Sequence, residues 1–205
     1  MHKLLLLLAV FIPCPFKLWF YRSLFGWKIG NQVKIGLSYI EADNIILEDG
    51  AHIGHFNIIR QVKLFQLCKN AYVRNFNQFF GNEYDSYEWT KKLIIGERSL
   101  CMSHHFIDVA GTIEIGSDTV IGGRDSHFWS HSLEFEKTSS KLVPKDIFIG
   151  NNVYIGARAS LFGCYIPDNA IIGMGSVVTK SFNGENDRVL IAGNPATIKK
   201  RYSTL

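Results

Sequence analysis

Proline is scarce in this chain, with five in 205 residues, and cysteine is scarcer still, with four. Cys14, Cys68, Cys101 and Cys164 are far apart and form no Cys-x-x-Cys pair. That pattern argues against a disulfide framework and against a thiolate zinc site, and makes a reducing compartment the default expectation. A large charge imbalance is missing too. The formal net charge is +4, and no basic block interleaved with aromatics occurs. Such a balance leaves room for an anionic ligand and gives no case for nucleic acid. The apolar run Leu4 to Ile12 is too short for a bilayer, which needs roughly 20 residues. Lys3 precedes it as in a signal peptide. Pro13, Cys14 and Pro15 then stand where a small-x-small cleavage site belongs, and Phe11-Ile12-Pro13 before Cys14 makes a poor lipoprotein box.

The segment after these prolines, "FKLWFYRSLFGW", is apolar and basic. Residues 1–27 are therefore expected to form a helical cap packed on the body or on a partner subunit. A second reading is peripheral attachment to the inner face of the cytoplasmic membrane, since Lys17 and Arg22 beside Trp19 and Phe20 suit an interface. The length fits one further domain, residues 28–205, with an ample core.

That domain has a period of neither helix nor exposed strand. In "IGNNVYIGARASLF" an aliphatic residue recurs every sixth place, at Ile149, Ile155 and Leu161. The same step runs through Ile29, Ile35, Leu47, Ile53 and Ile59, with Glu41 breaking it once. It returns at Ile95, Cys101, Ile107 and Ile113, then at Ile115 and Ile121, and after a slip at Ile166, Ile172 and Val178. A second aliphatic often sits two places earlier, giving the unit (apolar)-x-Ile-Gly. Short parallel strands bent every six residues satisfy this pattern. The key residue points inward onto its equivalent in the next coil, while Gly and Asn turn the corners. Coils of about 18 residues are expected from a three-sided arrangement. Cys101 and Cys164 fall on or beside repeat positions and are read as buried thiols, not nucleophiles.

Two stretches interrupt the rhythm: "FGNEYDSYEWTKK", residues 80–92, and the longer "HFWSHSLEFEKTSSKLVPKD", residues 127–146. Insertions in solenoids become loops on one face and often carry the site. The histidines cluster in "CMSHHFID" and "RDSHFWSHSLEF". Adjacent His104 and His105 cannot both face one side of a strand, and no third ligand stands at usual spacing, so no metal is expected. His131 lies at the entry to the long loop, which makes it a candidate general base.

Three segments carry a family resemblance. "SHSLEF" resembles a Thr/Asn-His-Pro-x-Asp element, with Ser132 in the proline's place and Glu134 as the nearby acid. "PKDIFIGNNVYIGARASL" and "DNAIIGMGSVVTKSF", the latter continuing to "AGNPATIKKRY", resemble the remaining signatures. The chain thus resembles the hexapeptide-repeat acyltransferases, closest to the maltose/galactoside acetyltransferase-like group and its polysaccharide-biosynthesis relatives. The match is good over about residues 93–202, holds only as repeats over 28–80, and is slight before that.

The resemblance implies an all-β, left-handed parallel β-helix with a protruding loop. It implies direct transfer of an acetyl group from acetyl-CoA, used as co-substrate, to a sugar or polysaccharide hydroxyl during cell-surface polysaccharide synthesis. It also implies a homotrimer with sites between subunits. His131 would be the base, with His105 and Asp108 orienting it or holding the acceptor. The coenzyme would run past Tyr154, Gly156 and Ala157 toward Gly173, Met174 and Gly175, with Thr179, Lys180, Pro195 and Lys200 as further contacts. Two other readings stay open: N-acyl transfer to an amino-sugar, and a β-helix scaffold without catalysis.

Overall fold

A computed structural model of the protein describes residues 2–14, 16–82, 89–135, 139–185 and 187–202. The six-residue unit appears as strands of two to four residues, each paired in parallel with its equivalent one coil later. The chain winds as a left-handed parallel β-helix of hexapeptide repeats with three faces. On the second face Lys34–Ile35, His52–Ile53, Tyr72–Val73, Leu100–Cys101, Val120–Ile121, Tyr154–Ile155 and Ile171–Ile172 lie side by side in order. Ile35, Ile53, Val73, Cys101, Ile121, Ile155 and Ile172 stack inward there. Leu47, Leu67, Ile95, Ile115, Ile149 and Ile166 do the same on the first face, and Ile40, Ile59, Phe79, Ile107, Phe128, Leu161 and Val178 on the third. No coil closes its own core, so each relies on the next to exclude water.

The break at Glu41 arises because the inward place after Ile35 falls one residue early, at Ile40, which stays in register with Ile59. The Tyr39–Leu47 strand slips register against Ile58–Leu67 between Ile40 and Ala42. Ile40 takes the inward place, and Glu41 faces out to meet Lys3 Nζ at 2.8 Å. These two long strands run round a corner from the third face to the first, so coils depart from 18 residues. Ile35 to Ile53 is an 18-residue step, but Ile53 to Val73 is 20 and Ile155 to Ile172 is 17.

Helix α1 (His2–Ala9) and helix α2 (Phe16–Phe25) cover the open first coil. Pro13 stands between them, and α2 ends at Gly26, whose φ of 65° suits a residue without Cβ. The Trp27 N–H then returns to the Tyr21 carbonyl at 3.3 Å, and the two rings stack 3.8 Å apart. Leu6, Ala9, Leu18 and Tyr21 join Trp27, Val33 and Ile35 in one core. Each large side chain buried there is worth about 2 kcal/mol. Lys17 is buried, with Nζ donating to the carbonyls of Gly36 at 2.7 Å and Val10 at 2.9 Å; burial lowers its pKa. The outer sides of the helices leave Leu4, Leu7, Leu8, Phe11, Phe16, Trp19 and Leu24 exposed. Among the described residues no helix is long and apolar enough to cross a membrane. At the far end Arg188–Gly193 pairs in parallel with Ile171–Ile172 and antiparallel with Ala196–Tyr202.

Candidate active site

His127–Trp129 is a third-face strand, and with Phe128 pointing inward its two neighbours point out. The chain then leaves the coil as an antiparallel hairpin, His131–Phe135 against Ser140–Pro144, and rejoins it at Ile147. Residues 136–138 of the expected loop, and 83–88 of the earlier one, lie outside the described residues. The exit point is tied down by the coil before it. Trp129 pairs with Asp108 in register. Ser130 is fully buried: its N–H donates to Asp108 Oδ2 at 3.0 Å, its Oγ–H donates to the Asp108 carbonyl at 2.6 Å, and its Oγ accepts the Gly111 N–H at 2.9 Å.

These bonds bring Asp108 Oδ2 to 2.6 Å from His131 Nδ1. The carboxylate is almost fully buried and the imidazole is 29% exposed. A carboxylate only accepts, so Nδ1 carries the proton, and in the neutral ring the lone pair is on Nε2. The ring edge packs between Trp89 and Trp129, at centroid distances of 6.1 and 6.5 Å. Glu134, which the motif placed near the histidine, pairs instead with Lys145 at 2.6 Å across the hairpin base. The acid beside His131 is Asp108.

His105 sits elsewhere in the hydrogen-bond scheme. One corner of the helix holds a buried polar ladder in which each residue serves the next coil. The Asn57 N–H donates to Ser38 Oγ, the Asn77 N–H to Asn57 Oδ1, the His105 N–H to Asn77 Oδ1, and the Ser126 N–H to His105 Nδ1 at 3.2 Å. The His105 ring is buried, and burial pushes its pKa down to about 4. It is a neutral rung of this ladder, and its hydrogen bonds do not run to His131.

The residues expected along the coenzyme fall into two groups. Gly156 and Ala157, then Gly173, Met174 and Gly175, occupy successive turns of the corner between the second and third faces, and the Gly175 N–H donates to the Ala157 carbonyl at 2.9 Å. Tyr154 presents a half-exposed ring at the edge of that corner, and Pro195 lies in the next turn. Gly156 is required by the stacking itself, since a Cβ there would come within 2.7 Å of the Met174 backbone nitrogen. Gly175, with φ of 69°, has open space where a Cβ would go. Thr179 and Lys180 lie past the Val177–Val178 strand, at the next corner, and Lys180 Nζ lies over the Phe182 ring. Lys200 lies over the Tyr202 ring at 4.6 Å, whereas Lys199 is the cation near Gly193 on the corner.

Sequence reasoning gave no role to Trp89, Trp129 or Ser130, although Ser130 stands beside His131. Trp129 carried a signal, because it stands two places before His131 with one buried residue, Ser130, between them. Trp89 had only its place in an interrupting loop. Cys101 and Cys164 are buried, with burial raising both pKa values to about 12, so neither offers a thiolate. Among the described residues no three His, Cys, Asp or Glu side chains converge as metal ligands.

Residues 147–180 match the family described as "hexapeptide repeat of succinyl-transferase". Over 72 residues the chain is 39% identical to a chloramphenicol acetyltransferase of Agrobacterium fabrum, covering 34% of this chain and 33% of that protein. The chain thus matches about a third of the length of this curated relative. Its fold is that of the polySia-specific acetyltransferase NeuO, with a TM-score of 0.58, 22% identity and coverage of 87% and 88% of the two chains. It is also that of a hexapeptide-repeat acetyltransferase of Vibrio cholerae O1 biovar eltor solved with acetyl coenzyme A, with a TM-score of 0.53, 17% identity and coverage of 99% and 86%.

Proposed function

We propose that this protein transfers an acetyl group from acetyl-CoA to a sugar hydroxyl, with His131 as general base. The observation that carries the reading is the 2.6 Å contact between His131 Nδ1 and Asp108 Oδ2 at the root of the hairpin. A scaffold would have no need of a buried carboxylate that fixes one imidazole tautomer and leaves the other nitrogen without a partner among the described residues. In the reaction, Nε2 takes the proton of the acceptor hydroxyl as its oxygen bonds to the thioester carbonyl carbon. As the tetrahedral intermediate collapses, the carbon–sulfur bond breaks and the imidazolium returns the proton to the leaving thiolate. Asp108 stays ionised, and its negative charge stabilises the imidazolium in between. An amine acceptor would use the same base. The hydroxyl is preferred here on the resemblance to polysaccharide-linked enzymes and on the polySia-specific acetyltransferase that shares the fold.

The positions of the two half-sites support a site shared between subunits. His131 lies where the third face meets the first, whereas Ala157 and Gly175 lie where the second meets the third. A ring of copies packed on their third faces would set one copy's histidine against the next copy's glycine corner, and a trimer closes such a ring. The exposed apolar sides of α1 and α2 support a further reading, that the protein works at the cytoplasmic membrane surface, where lipid-linked sugars are assembled.

The test is thioester cleavage by the purified protein with acetyl-CoA and a panel of sugar acceptors, comparing the native protein with His131→Ala. Acceptor-dependent cleavage that His131→Ala reduces by about 100-fold or more is the expected result. Equal rates in the two proteins would overturn the assignment.

A further inference from the structure

Two corners of the helix hold a residue at positive φ in coil after coil, and their chemistry differs. Between the first and second faces these residues are Gln32, Asn70, Arg98, Asp118, Asn152 and Asn169, together with Gly50. All are polar or glycine, as expected where this backbone conformation meets solvent. Between the second and third faces they are Phe56, Phe76 and His104, then Gly123, Asp125 and Arg158, then Gly175. Phenylalanine is a poor choice for the left-handed region, and neither ring is hidden: Phe56 is 55% exposed and Phe76 is 46% exposed. Neither backbone preference nor the inner core accounts for them.

The rings form a continuous row. Phe56 stacks on Phe76 with centroids 5.1 Å apart and planes at 22°, and Phe76 stacks on His104 at 4.9 Å and 12°. The row runs along the same corner that later carries Ala157 and Gly175. It ends one coil before Asp125, and Asp125 belongs to the coil that delivers His131. The reacting level therefore falls between an aromatic stretch on the N-terminal side and a glycine stretch on the C-terminal side. Beside the row is a groove of about 470 Å³ whose walls include Gln78, Asp125, His127 and Phe106.

Flat, exposed rings flanked by amide, carboxylate and imidazole groups suit a ligand with both C–H faces and hydroxyl edges. Asp125 in the wall is balanced by Arg124 at 3.2 Å and Arg158 at 3.8 Å, so the groove offers no basic stripe of the kind a nucleic acid needs, and a purely apolar partner would strand the polar groups. We propose that Phe56, Phe76 and His104 form a rail for the carbohydrate chain of an extended acceptor, gripping sugar units several places from the one that is acetylated. The proposal rests on the sugar-acetylating reading above, and it deepens that reading by naming an oligomeric acceptor over a free monosaccharide.

The test uses the full chain and a panel of immobilised oligosaccharides, neutral and acidic, of one to eight units. Binding is measured directly, apart from turnover, for the native protein, Phe56→Ala/Phe76→Ala and Phe56→Trp/Phe76→Trp. Native affinity should rise with chain length for at least one sugar series. The double alanine variant should lose about 10-fold or more for the longest members, and the tryptophan variant should retain binding. Melting temperature and acetyl-CoA binding should not change, because both rings are exposed and stand several coils before the Ala157 and Gly175 turns of that corner. Length-dependent binding that the alanine variant abolishes supports the rail even if no sugar is acetylated, in which case the transfer reading alone fails. Absence of length dependence across the panel, or affinity untouched by the alanine pair, overturns the rail. So does a change of oligomeric state in that variant, which would make the row a contact between copies.

Discussion

Asp108 and His131 are 23 residues apart, yet the carboxylate Oδ2 and the imidazole Nδ1 lie 2.6 Å from each other because Asp108 ends one third-face strand and His131 opens the hairpin just past the strand that pairs with it in the next coil. The contact is held from below: Ser130 binds both the carboxylate and the carbonyl of Asp108, so the hairpin leaves the coil at one fixed angle. Asp108→Asn would keep the shape but allow an amide N–H₂ to face Nδ1. The tautomer would then be reversed, putting a proton on Nε2. A fall in kcat of about 100-fold or more is expected, with acetyl-CoA affinity unchanged. Steady-state kinetics with direct titration of the coenzyme checks it, and a kcat within a few-fold of native would count against the dyad.

The shared site can be tested by complementation. His131→Ala removes the base, and Ala157→Trp blocks the coenzyme corner and should raise the KM for acetyl-CoA. If each site combines the two edges from different copies, mixing the inactive variants through unfolding and refolding should restore about a quarter of the sites in random assemblies. Light scattering of the mixture gives the subunit number. A mixture as inactive as its components would mean that each chain carries a complete site.

His105 gives a pH signature in stability. Its folded pKa is lowered to about 4 against 6.5 for an ordinary histidine, through burial. Between these values the unfolded chain binds the proton and the folded one does not. The folded state's advantage is therefore complete above about pH 6.5 and is lost as pH falls toward 4. The loss amounts to up to about 3 kcal/mol. His105→Asn should fold, because Asn57 and Asn77 already serve as rungs of the same ladder, and it should flatten the slope of melting temperature across that window. A slope unchanged by the substitution would place its origin in another group.

The N-terminal helices make two separable contributions. Deleting residues 1–27 uncovers Val33 and Ile35, so the melting temperature and solubility should both fall. Within the intact chain Lys17→Ala leaves the Val10 and Gly36 carbonyls without their donor, which should cost about 1–3 kcal/mol in denaturant unfolding. Replacing the exposed Phe11, Phe16 and Trp19 by serine should leave stability alone and reduce co-sedimentation with anionic lipid vesicles. Vesicle binding that survives all three changes removes the case for a membrane-facing surface.

The sequence alone determined the solenoid. A side chain's inward direction depends on its distance from the nearest corner, and six residues separate most inward positions, as from Leu47 to Ile53 to Ile59 and from Ile149 to Ile155 to Leu161. Ile35, Ile53, Ile155 and Ile172 could be assigned on that ground, and the exit of the chain at His131 was visible as a lapse in the period. Glu41 shows where the local rule ends: the corner after Ile35 is one residue shorter than that after Ile53, so the inward place falls to Ile40. The tertiary structure decided everything that passes from one coil to the next. Coils vary in length and two carry insertions, so a residue and the neighbour it meets have no constant spacing. For that reason Asp108 rather than Glu134 became the partner of His131, His105 became a rung of a buried ladder, and Phe56, Phe76 and His104, far apart in the chain, became one exposed row.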